Sequence, residues 1–316
     1  MRLATPVATA LAVVLTLVLP TAAQARTPKR CNGGALCART FDQVVLAGSH
    51  NAMSAQSLGW RIPNQQVDIP AQLRFGIRAL LFDTHYGRPQ PDGTVVTDDD
   101  GTATGGPRGL YLCHQLCQLG STPLVAGLRA IRTFLHAHPN NVLTIVNEDY
   151  ITPADFVGAM KASGLAGHVY RGSTRHWPTL AKMISRRQQV VVLAEHRAGR
   201  AGWYHLAYHG ILQETPYTWK QPGLITRRAR WRASCVPNRG ARTGSLFLMN
   251  HWSPPVPPQV PDLFASAAVN ARRVLVGRAK ACRRARGRLP SIVAVDQVRA
   301  GDLLAAVGTL NALGPR

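Results

Sequence analysis

The chain has 316 residues, 46% of them apolar, with 28 glycines, 22 prolines and six cysteines, a composition that supports a packed core and excludes a wholly disordered protein. With 37 Lys+Arg against 15 Asp+Glu the formal charge is +22, so long-range fields attract polyanions such as nucleic acid, anionic lipid or an acidic polymer. No zinc-finger, RNP or basic-zipper signature accompanies that charge, so no specific nucleic-acid partner is expected.

Residues 1–25 read as an export signal: a charged start at Arg2, an apolar run from Val7 to Leu19, and the small-x-small site Ala23-Gln24-Ala25. Its removal is expected to leave a secreted, monomeric domain over residues 26–316. No later stretch approaches the ~20 uninterrupted apolar residues of a membrane helix. The remaining length, about 290 residues, is the usual size of one (β/α)-barrel domain. Export makes the even cysteine count meaningful. Local spacing favours Cys31 with Cys37 and Cys113 with Cys117, which leaves Cys235 for Cys282, and none has the CxxC spacing of a zinc site.

Short runs rich in branched residues predict strands at 43–48, 77–83, 110–113, 142–148, 188–195, 245–250 and 291–298, with the neighbourhood of Val169 as a further one. Amphipathic stretches lie between them. Ser121 is a candidate N-cap, Pro123 falls in the first turn, Leu124, Leu128, Ile131 and Leu135 share a face, and Pro139 stops the run. Thr152-Pro153 opens a second helix that Gly164 closes, and Leu303, Leu304, Val307 and Leu310 form a last apolar face. Seven or eight strand-helix units favour a closed α/β barrel over an open doubly wound sheet, whose Gly-x-Gly-x-x-Gly turn is absent after the first strand.

Two polar features fall outside this pattern. Gly87 to Gly109 reads as a mobile surface loop, because its Asp98-Asp99-Asp100-Gly101 lacks the length and terminal Glu of an EF-hand. The basic runs Arg227 to Arg232 and Arg272 to Arg288, the latter with Arg278, Lys280, Arg283, Arg284 and Arg286, read as solvated faces, with a docking patch as the alternative. Pro254 to Pro258 reads as a stiff connector, and Trp252-Ser253-Pro254-Pro255 as a loop, with insertion at a lipid interface as the alternative.

Polar groups gather at the carboxyl ends of the apolar runs: Ser49-His50-Asn51, Asp83-Thr84-His85, Cys113-His114, Asn147-Glu148-Asp149, Glu195-His196, Asn250-His251 and Asp296. In a barrel these ends meet at one face, where such enzymes carry their chemistry. Two histidines from different strands, His50 and His114, suit a reaction that removes one proton and delivers another near neutral pH.

With these residues in place, the chain resembles the phosphatidylinositol-specific phospholipase C, X-domain-like phosphodiesterases. The matching stretches are LAGSHNAMS (46–54), QLRFGIRALLFDTHY (72–86), LYLCHQLC (110–117), FLHAHPNNVLTIVNEDY (134–150), WPTLAKMI (177–184), ETPYTW (214–219) and PSIVAVDQV (290–298). CNGGALC (31–37) resembles the disulfide-bearing start of the secreted branch. The resemblance implies an irregular (β/α)8 TIM barrel and cleavage of a phospholipid head-group phosphodiester through a cyclic phosphate. His50 is then the base and His114 the acid, with Asp83 beside them and Asp296 holding the imidazole of His50.

The same resemblance implies a Ca2+ or Mg2+ site at Asn51, Asp83 and Glu148, oxygen donors suited to a hard cation. It departs from the family's E-x-D pair at Leu81, which stands where the first acid is expected. Without an ion, Asp83 and Glu148 would orient His50, His85 or Arg78. His85, Arg78, Glu195, Glu214, Tyr217 and Trp219 are assigned to the head-group side. The substrate is expected to be a phospholipid, with peripheral contact to an anionic membrane surface. Glycerophosphodiesterases, sphingomyelinase D-like enzymes and a catalytically silent binder of anionic surfaces are the alternatives. The first two carry the Glu-x-Asp pair that Leu81 breaks.

Overall fold

In the computed structural model, which describes Met1 and residues 28–216, 223–252 and 263–314, the apolar runs form a ring of parallel strands. In chain order the elements are β1 (Leu46–Ser49), α1 (Ile69–Phe75), β2 (Ala79–Pro89), β3 (Val95–Thr97), β4 (Gly109–Leu112), β5 (Thr122–Pro123), α2 (Leu124–Ala137), β6 (Leu143–Asp149), α3 (Pro153–Ala162), α4 (Leu180–Ser185), β7 (Val190–Ala194), β8 (Tyr204–Leu206), β9 (Leu212–Glu214), α5 (Gly223–Thr226), β10 (Leu246–Asn250), α6 (Leu263–Val269), α7 (Arg272–Arg286), β11 (Ile292–Val295) and α8 (Leu303–Ala312).

Eight of the strands pair in the order β8-β7-β6-β2-β1-β11-β10-β9, each neighbour parallel. The chain thus runs once around a barrel whose seam lies between β8 and β9. Among the described residues that seam carries no ladder; the Leu212 N–H donates to the Ala207 carbonyl across it at 2.7 Å. Only short connections join β7 to β8 and β8 to β9, with no described helix in either, so the α/β barrel is irregular as the resemblance implied.

A strand turns successive side chains to opposite faces, and the buried residues divide accordingly. Leu46, Ala79, Leu81, Val146, Val191, Leu193, Leu212, Leu246, Leu248, Ile292 and Ala294 pack inside the barrel. Their alternates Ala47, Leu80, Phe82, Ile145, Val192, Phe247, Met249, Val293 and Val295 pack outward with Leu128, Ile131, Phe156, Leu275, Val307 and Leu310 of the helices. Local signals set the helix starts. Asp68 accepts the Ala71 N–H at 2.9 Å, and Thr152 and Thr179 accept N–H groups of Asp155 and Lys182. Ser121 does not cap α2: Pro123 occupies that position without a side-chain bond.

Two expected elements are corrected. The run 110–113 is not a barrel strand; as β4 it pairs antiparallel with the long outer end of β2 and with β5. Val169 makes an isolated bridge to Val190 and no strand. The expected loop 87–109 is also corrected, since it holds the end of β2, β3 and a pinned acidic turn. Asp98 is fully buried against Arg88 and Arg108, and Asp99 accepts from His85 and from the Tyr86 N–H. The disulfides follow the spacing: Cys31–Cys37, Cys113–Cys117 and Cys235–Cys282. The export signal, Tyr217, Trp219 and the Pro254 to Pro258 connector lie outside the described residues.

Candidate active site

Continuing each inward column by one step of two residues past its last apolar member gives the polar ring. Gly48 leads to His50, Leu81 to Asp83, Val146 to Glu148, Leu193 to Glu195, Leu212 to Glu214, Leu248 to Asn250, and Ala294 to Asp296. Parallel register aligns neighbours, so Asp83 lies opposite Glu148, and Glu214 opposite Leu248. Apart from Asp296, which lies behind His50, the ring lines a cleft of about 210 Å³ at the carboxyl ends of the strands, floored by Leu81, Val146 and Leu248. Leu81 therefore belongs to the apolar layer directly beneath the carboxylates.

His50 follows the end of β1, with its N–H bound to the Val295 carbonyl. Its Nδ1–H donates to Asp296 Oδ1 at 2.8 Å, and the ring stacks on Trp252 with centroids 3.7 Å apart and planes within 2°. This tautomer leaves the Nε2 lone pair for accepting a proton. Asp296 is itself held: Asn64 Nδ2 donates to the same oxygen at 3.2 Å, and Asn270 Nδ2 donates to the Asp296 carbonyl at 2.8 Å.

His114 reaches the cleft from outside the barrel. The β2–β4 ladder carries the chain back to the mouth, and the Cys113–Cys117 disulfide closes a tight loop that displays the imidazole. Asn51 Nδ2 donates to His114 Nε2 at 3.1 Å, linking the two histidine segments through the residue next to His50. Burial first, and His50 second, lower the His114 pKa to about 4. Positive φ values occur at Asn51 (45°), Gln115 (59°) and Gln297 (51°), immediately after His50, His114 and Asp296. For non-glycine residues this conformation costs of order 1–3 kcal/mol each, and here it bends the chain sharply behind each of the three groups.

The opposite wall is acidic. Asp83 is buried, and burial, then Glu148 and Glu195, push its carboxyl well above the usual range. Among the described residues no side chain hydrogen-bonds or ion-pairs with it. Glu148 accepts from the Tyr150 hydroxyl. Glu195 and Glu214 share Arg239, which donates from Nε to Glu214 at 2.7 Å and from Nη2 to the Tyr208 hydroxyl at 2.8 Å. Asn238 and Asn250 donate to Glu214 as well.

The cleft thus brings together His50, Asn51, Asp83, His114, Glu148, Glu195 and Glu214, with Asp296 directly behind His50. Two residues assigned to the head-group side lie elsewhere. Arg78 precedes β2 and so sits at the amino end of the barrel, donating to the Leu73 and Ile77 carbonyls and to Asn141. His85 is buried beyond the ring, bound to Asp99 and stacked on Tyr150 with centroids 4.3 Å apart. Trp252 and Arg239 are site residues not expected from the sequence; Trp252, expected in a loop, stacks on the ring of His50. Trp252 directly follows the Asn250-His251 strand end, a signal that was available. Arg239 sits in an irregular loop, and no spacing marks it.

A parallel barrel with two histidines, a carboxylate behind one of them and oxygen donors opposite is arranged for paired proton transfer. The PI-PLC X family model, PI-PLC X 1, matches residues 36–311, and the chain belongs to that family. It is similar to the "PI-PLC X domain-containing protein 1" of Arthroderma benhamiae, at 27% identity over 298 residues covering 90% of each chain. An "Uncharacterized secreted protein" of the same fungus is 29% identical over 207 residues, 63% of this chain and 41% of that one, so the match spans less than half of that relative. A mutant of the phosphatidylinositol-specific phospholipase C from Staphylococcus aureus shares the fold, with a TM-score of 0.54 at 12% identity over 87% of this chain and 93% of that one.

Proposed function

We propose that the protein is an exported phosphodiesterase of the phospholipase C type, acting on a phospholipid whose head group carries a hydroxyl next to the phosphate, as inositol does. The observation that carries this reading is the pairing of the His50–Asp296 dyad with His114 in one cleft. His50 Nε2 takes the proton of the head-group hydroxyl as its oxygen bonds to phosphorus. The bond from phosphorus to the diacylglycerol oxygen breaks, and His114 delivers a proton to that leaving oxygen. The product is a cyclic phosphate. Asp296 stabilises the imidazolium formed on His50. The phosphodiester anion, brought beside His114, raises the affinity of that imidazole for its proton. Three disulfides, and a relative named as secreted, support export.

The donors also suit a hard divalent cation. Among the described residues no group of three His, Cys, Asp or Glu side chains is placed to hold a metal. Asp83, Glu148 and Asn51 nevertheless line the same cleft, and among the described residues Asp83 has no counter-charge. Ca2+ or Mg2+ held there, with water completing its shell, would supply positive charge toward the phosphoryl oxygens. Calorimetric titration of the purified protein with Ca2+ is expected to show binding that Asp83→Asn weakens at least about tenfold, the loss of one carboxylate ligand. Equal binding by parent and variant would remove Asp83 from the ligand set. Phosphatidylinositol vesicles assayed with and without chelator test the activity itself: turnover supports the phospholipase reading, and its absence under both conditions contradicts it.

A further inference from the structure

Between Thr215 and Val295 the sequence holds fifteen Lys or Arg and one acidic residue, Asp262. The fold gathers much of this charge on one side. Cys235–Cys282 ties the connection between β9 and β10 to α7, and the Trp231 ring packs on Gly277, where an added Cβ would lie 2.2 Å from it. Arg227, Arg228, Arg230 and Arg232 around that Trp are exposed, and so is Arg273 one helical turn from Gly277. Arg278, by contrast, is fully buried: it donates to the Asn250 carbonyl, to His251 and to Ser234, a correction to its reading as part of a solvated face.

This surface adjoins the mouth of the barrel. Ile225 packs with Val269 and Val274, the Val269 carbonyl accepts from His251 just past β10, and Asn270 binds the backbone of Asp296. Large exposed apolar side chains lie at the same end. Leu116 is two residues from His114, and Val236 precedes Asn238 and Arg239; their exposures are 51% and 50%. Apolar tips beside a row of arginines suit a layer that is anionic at its surface and apolar beneath, which a soluble polyanion is not.

We propose that this rim docks onto an anionic lipid bilayer with Arg227, Arg228, Arg230, Arg232 and Arg273 on the head groups and Leu116 and Val236 entering the interface, so that the cleft faces the membrane. The proposal deepens the phospholipase reading and rests on it for the direction of the cleft. It is tested with the full mature protein by co-sedimentation with phosphatidylcholine vesicles, with and without phosphatidylglycerol. The parent should bind the anionic vesicles and lose binding as salt rises from about 0.1 M to about 0.5 M. At about fivefold per basic residue near the surface, R227Q/R228Q/R230Q should lower partitioning about a hundredfold. R273Q, on the other segment, should lower it as well, by about fivefold.

A variant with the same charge change on other exposed residues, R171Q/K182Q/R186Q, should bind as the parent does. Equal losses in the two triple variants, undiminished binding by both patch variants, or parent binding to heparin but not to vesicles would overturn the proposal. Turnover of a water-soluble inositol phosphodiester should be the same in R227Q/R228Q/R230Q as in the parent. If the parent cleaves neither that compound nor vesicle substrate, the phospholipase reading fails, while the sedimentation results still decide whether this rim binds membranes.

Discussion

His114→Ala is expected to lower kcat on phosphatidylinositol by about 10²- to 10⁴-fold, the range of a positioned general acid, with little change in KM. The reason lies in the leaving group. A diacylglycerol alkoxide departs poorly without a proton, and His114 is the imidazole displayed at the mouth by the Cys113–Cys117 loop. An aryl phosphodiester, whose leaving group departs unprotonated, should largely escape the defect; equal losses on both substrates would contradict the assignment of His114 as acid. Burial and His50 hold the His114 pKa to about 4, so the imidazole is neutral at pH 7 in the protein alone. The acid works in its protonated form, whose fraction grows as pH falls toward that value. The His114-dependent part of kcat/KM should therefore rise between about pH 7 and pH 5, and a flat profile over that window would count against the role.

Asp296→Asn is expected to lower kcat by about 10⁴-fold, by analogy with other carboxylates held behind a catalytic histidine. The carboxylate touches His50 and not the substrate, so KM should stay within about threefold of the parent. An amide no longer places a negative charge against the imidazolium that forms during the reaction. It retains an acceptor for Asn64 and fits the same buried volume, so a general loss of folding is not expected. Raised KM with unchanged kcat would instead make Asp296 a binding residue.

Much of the site was legible in the sequence because polar residues cluster at the carboxyl ends of the apolar runs. Each apolar run ends in polar residues, and in a barrel those carboxyl ends meet at one mouth, which needs no knowledge of any contact. That reasoning placed His50, Asp83, Glu148, Glu195 and Asp296 correctly. Arg78, assigned to the head-group side with the family resemblance and not by this argument, lies one residue before β2 and hence at the other end of the barrel. The run 110–113 was misread because an antiparallel excursion has the same local composition as a barrel strand, yet His114 still reaches the cleft.

Two barrel strands escaped notice. β8 and β9 have three residues each, too few to display a pattern, and no described helix separates them. Arg239 was hidden for a different reason. Its place against Glu195 and Glu214 depends on the path of a long connection, set by the Cys235–Cys282 tie and by Asn238, whose N–H meets the Glu214 carbonyl at 3.1 Å. The charge of the 272–288 run was read correctly in total but not in placement, since helical geometry turns Arg278 inward while leaving Arg273, Lys280 and Arg284 exposed.

The most direct test of two imidazoles acting on one phosphorus is phosphorus NMR of the reaction with phosphatidylinositol in water enriched in oxygen-18. Attack by the neighbouring hydroxyl predicts that the first soluble product is the five-membered cyclic inositol phosphate without solvent oxygen. An acyclic inositol phosphate appearing first and carrying oxygen-18 would contradict it.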